Sequence, residues 1–382
     1  MLTKLTMENF LSFNDKVEID LMSSGYKILM ESNVWQDTLK GSFFIGANAS
    51  GKTNILKGIK MLLDLLFAER VVHIITNRCI FSDKNRIELK YQFKVDDHII
   101  EYEIKYDIEK ECLIEKLHVD GESYLNRIGS HAESKITENK SYTDIDQDTL
   151  LLREIFFNTK FRNHEILKKW FDFLMHSVYI DGYREYIFSP KNVSLDLEEY
   201  LEENGAETIN TFFENFNFNQ RIEYAETSKG SITSIKSIDK KNIFFKREGI
   251  GEPIPFPMES LGNQKLLLLL PTFFHVIQNG GMLIVDEFSS GLHNFLEELL
   301  IKYFNKMSKE AQLFLVSHST NLLSNSILRP DQIYAVHFSG KEGSKVKRFS
   351  SEQPRAAQNL EKMYTSGVFG GVPHYRDENQ IK

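Results

Sequence analysis

The chain has 382 residues, 41% of them hydrophobic and 26% charged, the composition of a soluble globular protein with room for one large domain or two ordinary ones. Its 46 basic side chains against 54 acidic ones leave a net charge of −8, so whole-molecule attraction to nucleic acid or to an anionic membrane is not expected, and any such contact must be local. The longest apolar stretch, 266–274, contains Pro271 and falls far short of the roughly 20 residues of a membrane helix, which excludes a membrane-spanning transporter.

Taken in chain order, residues 1–10 mix Lys4, Glu8 and Asn9 into an apolar pattern. They lack the cationic start and unbroken apolar core of a secretion signal, so a cytoplasmic protein is expected. Strands are expected at 2–8 and 16–21 around a turn at 12–15. A third strand, 40–45, runs into a glycine-rich loop. Beyond it Ile55, Ile59, Leu62, Leu63, Leu65 and Leu66 recur at helical spacing, so the loop opens a helix over 54–69. Residues 86–95, 99–108 and 112–119 read as a β-meander inserted on the core, turning at Asp96-Asp97 and ending before Asp120-Gly121. Cys79 and Cys112 are the only cysteines and sit on apolar flanks, so no disulfide framework or cysteine metal site is available and both are expected buried and reduced.

The polar stretch 129–148 reads as a mobile loop. Helical spacing resumes at 151–157, 164–173, 195–203 and 206–216, a second meander covers 221–245, and a Gly/Pro-rich loop follows at 249–257. The last third alternates helix 264–277, strand 282–285, helix 293–307, strand 313–316 and strand 332–338. That is the α/β pattern of a mostly parallel sheet with helices on its faces. No sustained heptad and no internal repeat is found. The expected organisation is an N-terminal lobe at 1–75, a compact α+β insertion at 76–245, a C-terminal lobe at 246–340 and a tail at 341–382.

The glycine loop, Gly46-Ala47-Asn48-Ala49-Ser50-Gly51-Lys52-Thr53, satisfies G-x-x-x-x-G-K-[ST] in full. It is a P-loop, lying between an expected strand and an expected helix. Its glycines let backbone amides wrap phosphate oxygens, the helix aims its positive dipole end at them, Lys52 reaches the β and γ oxygens, and Thr53 ligates magnesium. Gly46, Asn48, Ser50, Gly51, Lys52 and Thr53 are therefore the expected ATP-binding residues, with Mg2+ as the accompanying ion. A P-loop needs an acidic partner at the end of a buried strand, and Met282-Leu283-Ile284-Val285-Asp286-Glu287 provides it. Asp286 would hold magnesium beside Thr53, and Glu287 would orient and deprotonate the attacking water. The alternative is an Asp that caps a helix beside a solvated Glu.

With these residues in place, the chain resembles the ABC-type ATPase heads of the SMC and OLD-nuclease superfamily, and most of all the stand-alone AAA family ATP-binding proteins of bacterial abortive-infection loci. The start, with Asn9-Phe10-Leu11-Ser12-Phe13, is similar to the family's first strand and Asn-Phe-x-Ser-Phe turn, and Asn48 gives the family's form of P-loop. Glu259-Ser260-Leu261-Gly262-Asn263-Gln264-Lys265 stands where the family has its signature, and Phe314-Leu315-Val316-Ser317-His318-Ser319 resembles its switch strand. The resemblance implies a P-loop ABC-type ATPase head, with His318 contacting the γ-phosphate. It also implies that Ser260, Gly262 and Gln264 bind ATP held on a second subunit, hence a head-to-head homodimer or higher homo-oligomer. Leu261 occupies the usual signature serine position. The alternative for the segment is a capped amphipathic helix without a ligand, and His293 reads either as an interface residue or as a helix cap. Gln92 is the candidate for the family's glutamine after the insertion-side strand.

Spacing separates the relatives. The interval between Lys52 and Gly262 exceeds that of transporter ATPases, yet is far too short for the paired coiled-coil arms of an SMC protein, and 288–382 leaves no room for a fused nuclease. The resemblance then implies an ATP hydrolase whose cycle senses phage infection and regulates a separately encoded effector, a nuclease or toxin. The alternative is an SMC-like DNA-binding ATPase of repair or maintenance. For the latter, Lys236, Lys240, Lys241, Lys246 and Arg247 with Phe244 and Phe245 form a candidate phosphate-binding strand, and Lys341, Lys345, Lys347 and Arg348 a second basic hairpin. The solvated-face reading is the stronger one for both. The tail from Tyr364 to Tyr375 resembles the family's terminal segment and is expected to expose aromatics that dock on a neighbouring subunit.

Overall fold

The computed structural model describes residues 1–138, 140–191, 193, 195–225, 241–289 and 291–372. The chain begins with β1 (Leu2–Glu8), β2 (Val17–Asp20), α1 (Met30–Asn33), β3 (Val34–Trp35), β4 (Thr38–Leu39), β5 (Gly41–Ile45) and α2 (Lys52–Phe67). Next come β6 (Arg86–Val95), β7 (His98–Asp107), β8 (Cys112–Val119), β9 (Glu122–Ile128), β10 (His131–Ser134), β11 (Lys140–Tyr142), α3 (Leu151–Thr159) and α4 (Glu165–Met175). The middle holds β12 (Val178–Asp181), β13 (Tyr186–Phe188), α5 (Leu197–Asn204), α6 (Glu207–Asn215), β14 (Gln220–Ala225), β15 (Asn242–Arg247) and β16 (Ile254–Pro255). The last third is α7 (Leu261–Asn279), β17 (Gly281–Asp286), α8 (Asn294–Met307), β18 (Ala311–Val316), β19 (Ile333–Phe338), β20 (Ser344–Arg348) and α9 (Leu360–Thr365).

Among the described residues, eight strands form an antiparallel sheet in the order β11-β10-β9-β8-β7-β6-β1-β2, and seven form a second sheet in the order β13-β12-β17-β18-β5-β19-β20. In the second sheet the five central strands run parallel, and the edge strands β13 and β20 run antiparallel. The parallel strands are covered on both faces, so each splits its side chains between two cores with period 2. Phe44, Ile284 and Phe314 enter a core shared with the antiparallel sheet, while Phe43, Val285 and Leu315 enter a second core under the C-terminal helices. The strict alternation of β6 turns Ile87, Leu89, Tyr91 and Phe93 into the first core. Tyr91 donates to the Gly58 carbonyl at 2.7 Å and ties that sheet to α2.

Two expectations need correction. Segment 129–148 contributes β10 and β11 instead of a mobile loop, because Arg127 is fully buried beneath it. The Arg127 guanidinium donates to the carbonyls of Gly129 (2.8 Å), Asp146 (2.5 Å) and Thr149 (2.6 Å). Glu115, 3.7 Å from Arg127, accepts the amides of Leu151 and Leu152 at the start of α3. Nor is 76–245 one inserted lobe: β6 pairs with β1 and extends the N-terminal sheet, and β12 lies in the parallel sheet beside β17. A four-residue strand buried on both faces carries no alternation to betray it. The described residues contain no helix long and apolar enough to cross a membrane. Cys79 is buried, whereas Cys112 is only half-buried.

Candidate nucleotide-binding site

The loop between β5 and α2 is held in a shape that side chains would prevent. A Cβ on Gly46 would lie 2.1 Å from the Val336 carbonyl oxygen, and Gly51, at φ 106°, would place one 2.3 Å from Ser344 Oγ. Both glycines are required. Behind the loop, Ser344 Oγ donates to the Ser50 carbonyl at 2.6 Å and lies 2.8 Å from Ser12 Oγ, which also accepts from Asn54 Nδ2 at 2.8 Å. Ser12 belongs to the Asn-Phe-x-Ser-Phe turn, whose Asn9 donates to the carbonyls of Lys84 and Arg86 and whose Phe10 and Phe13 are buried. That turn thus buttresses the P-loop from behind.

Lys52 Nζ donates to the loop's own carbonyls, Gly46 at 3.0 Å and Ala47 at 2.9 Å. Burial lowers its pKa, and the carboxylates of Glu287 and Asp286 work against that shift. β17 delivers Asp286 to the same place, buried, with Oδ1 accepting from Thr53 Oγ1 at 3.0 Å. Burial raises the Asp286 carboxyl; the Thr53 hydrogen bond opposes this, and the charges of Glu287 and Asp181 add to it. Glu287 follows with φ 55°, a left-handed conformation uncommon outside glycine, and its Oε1 stands 3.7 Å from His318 Nε2. His318 follows β18, in a loop fixed by Ser317 Oγ donating to Ser289 Oγ at 2.9 Å.

One cavity of about 1320 Å³ collects these groups: Asn48, Ser50, Gly51, Lys52, Thr53, Asp286, Glu287 and His318 all line it. Gly46, the first residue of the loop, does not line the cavity. Hydroxyl and carboxylate oxygens are the hard donors magnesium prefers. Among the described residues no three His, Cys, Asp or Glu side chains form a cage of their own. This fits an ion that completes its shell with water and phosphate.

The cavity also takes in a residue the sequence did not reveal. Asp181 ends β12, is the register partner of Asp286, and is followed by Gly182, whose amide donates to the Asp286 carbonyl at 3.0 Å. Gln92, the expected glutamine, is elsewhere: it lies in β6 between Lys4 and Glu101, and its carbonyl accepts from Thr3. The only sequence signal for Asp181 was the apolar run Val178-Tyr179-Ile180 ending in Asp-Gly.

Ser260, Gly262 and Gln264 do not line this cavity. They open α7, where Ser260 Oγ accepts from the Asn263 amide at 3.3 Å as the N-cap and Gln264 Nε2 donates to the Glu259 carbonyl at 2.8 Å. The first-turn amides of Leu261 and Gly262 are donors that a helix leaves without an intrahelical partner. His293 caps α8 through Nδ1, accepting from the Phe295 amide at 3.4 Å.

The basic candidates are drawn into internal pairs. Lys246 meets Glu223 at 2.8 Å, Arg247 meets Glu259 at 2.6 Å, Lys345 meets Asp15 at 2.6 Å and Lys347 meets Glu352 at 2.6 Å. Arg348 pairs with Asp20 at 3.2 Å, Lys241 lies over the Tyr224 ring, Phe244 and Phe245 are buried, and Lys341 is exposed. Lys236 and Lys240 lie outside the described residues, as do Pro373, His374 and Tyr375 of the tail. The described part of the tail does not present its phenylalanine: Phe369 is fully buried in its own chain.

The family described as "AAA domain, putative AbiEii toxin, Type IV TA system" matches residues 42–324. No match is found among curated proteins. Among solved structures, the SMC head domain from Thermotoga maritima is similar with a TM-score of 0.51 at 14% identity, covering 90% of this chain and 97% of that one. An Smc head bound to the C-terminal winged-helix domain of ScpA is similar with a TM-score of 0.50 at 17% identity, covering 90% of this chain and 96% of that one. At such identities the likeness establishes the fold, that of an SMC-type P-loop ATPase head.

Proposed function

The chain belongs to this AAA-domain family, an ATP-hydrolysing P-loop NTPase of SMC-head fold, and on that premise we propose that it hydrolyses ATP in a composite site between two subunits, in the service of phage defence. One observation carries the composite site: Lys52, Thr53, Asp286, Glu287 and His318 converge on one cavity, while the N-terminus of α7 with Ser260, Gly262 and Gln264 lies outside it. In this reading a γ-phosphate held at the P-loop meets those first-turn amides on another copy of the chain.

Lys52 neutralises charge on the transferring phosphoryl group, and Asn48, Ser50 and Gly51 shape the backbone cradle. Thr53 and Asp286 would hold Mg2+, which when bound supplies charge neutralisation on the phosphate oxygens. Glu287 accepts the proton of the attacking water, and His318, 3.7 Å from it, contacts the γ-phosphate. Asp181 adds a carboxylate to the cavity wall beside Asp286.

The family's description names a putative AbiEii toxin and a type IV TA system, which supports an ATP cycle that holds or releases a separately encoded effector, a nuclease or toxin. The DNA-maintenance reading gains nothing from the described basic residues, which are largely paired internally. Glu287→Gln tests the assignment. The variant is expected to bind ATP, lose turnover and accumulate as a closed assembly of increased mass. Undiminished steady-state hydrolysis would sink it.

A further inference from the structure

We propose that the C-terminal segment 356–372 is a clasp that positions the P-loop and the His318 loop together, with Glu361 and Tyr364 as its positioning residues. The inference rests on the ATPase reading above and extends it to a part of the chain beyond the family's match at 42–324.

The clasp has two polar anchors. At one end, the Ala47 amide of the P-loop donates to the Gly371 carbonyl at 3.0 Å, and the Tyr364 hydroxyl donates to that same oxygen at 3.0 Å. At the other end, Thr320 Oγ1, two residues beyond His318, donates to Glu361 Oε1 at 2.6 Å. Glu361 and Tyr364 stand three residues apart on α9, so they share a helix face. One short helix therefore bonds to the elements that carry both the phosphate-binding loop and the switch histidine.

The surrounding contacts fix the clasp rigidly. Phe369 is fully buried and stacks on Phe349 with ring centroids 3.7 Å apart. Phe349 follows β20, the strand whose first residue, Ser344, holds the Ser50 carbonyl from the other side of the P-loop. Asn325 Nδ2 donates to the carbonyls of Ala356 (2.9 Å) and Gln358 (3.1 Å), joining the segment to the chain that follows the His318 loop. Gly371 takes φ 74°, and a Cβ there would lie 3.1 Å from the Val336 carbonyl oxygen, so the backbone can approach the P-loop only with glycine at that point. Packing of Phe369 alone would stabilise the fold. The two anchors do something more specific, because each ends on an element that handles the γ-phosphate.

Loss of one anchor removes a hydrogen bond whose net value of about 1 kcal/mol corresponds to about a fivefold change. Tyr364→Phe keeps the ring and removes the donor, so KM for ATP is expected to rise about fivefold with kcat little changed. Glu361→Ala is expected to lower kcat about fivefold with KM little changed, and Glu361→Gln, whose amide oxygen still accepts from Thr320, should restore it. ATP binding is also titrated in a Glu287→Gln background, where Tyr364→Phe should weaken affinity by the same factor. Wild-type kcat and KM in both variants, or a Glu361→Gln variant as impaired as Glu361→Ala, overturns the clasp. A wild-type protein without turnover overturns the ATPase reading instead, and the binding titration then decides the clasp by itself.

Discussion

His318 Nε2 faces Glu287 Oε1 over 3.7 Å, the two projecting from adjacent strands β18 and β17 into one cavity. On the proposed mechanism, a base and a hydrogen-bonding imidazole so placed would act on the same water and phosphate. His318→Ala is expected to leave ATP affinity within about twofold and to lower kcat by roughly 10²-fold, the range for losing a positioned acid–base group. Steady-state ATPase assays paired with nucleotide titration check this; an unchanged kcat would remove His318 from the site.

The Thr53 to Asp286 hydrogen bond sets side by side the two oxygens proposed to hold Mg2+. Thr53→Ser should keep Mg2+-dependent turnover, whereas Thr53→Val and Asp286→Asn should abolish it. Acidity has a defined sign here. Burial raises the Asp286 carboxyl, and metal binding needs it ionised, so Mg2+ affinity should begin to weaken at a pH above the ordinary carboxylate range. Mg2+ titrations of ATPase rate between pH 8 and pH 5, corrected for nucleotide protonation, measure it.

Asp181 and Gln92 make a contrasting pair. Asp181→Ala should retain ATP binding and reduce turnover at least about tenfold, because it removes a cavity carboxylate whose charge acts on Asp286. Gln92→Ala, on β6 away from the cavity, should behave as wild type. The reverse pattern would place the expected glutamine back in the mechanism.

Away from the site, His176 Nδ1 lies 3.2 Å from His275 Nε2, and Lys191 donates to His176 Nε2 at 2.9 Å. Burial and these neighbouring charges lower both imidazoles, His275 to about 4. The rings are neutral in the fold, so their contribution is intact above the unfolded imidazole pKa near 6.5 and is lost as pH falls toward 4. Discounted for partial solvent access, roughly 2 kcal/mol should disappear across that window. Urea unfolding at pH 7.5 and 4.5 should show that loss in wild type and a smaller one in His275→Gln.

The residues whose chemistry is local were legible in the sequence. Gly46 to Thr53 and Met282 to Glu287 combine a motif with a neighbouring strand or helix, and the structure brings Asn48 to Thr53 together with Asp286 and Glu287 in one cavity. What the sequence concealed depends on partners distant in the chain. Arg127 turns a polar stretch into ordered strands by binding its carbonyls, Val178–Asp181 reads as a strand only beside Gly281–Asp286, and Phe369 is buried only because Phe349 is there to receive it. Ser260, read as a candidate phosphate ligand, is engaged as a helix cap.

The composite site is tested most directly by mixing subunits. Lys52→Ala disables the P-loop, and Gly262→Asp places a negative charge at the α7 N-terminus, so each variant by itself should be inactive. In a mixed dimer one site carries both lesions and the other carries none. The account predicts that combining the two inactive proteins restores ATPase activity, approaching a quarter of the wild-type rate per subunit when they associate at random. A mixture as inactive as its components, with mixed assemblies verified by mass, would contradict it.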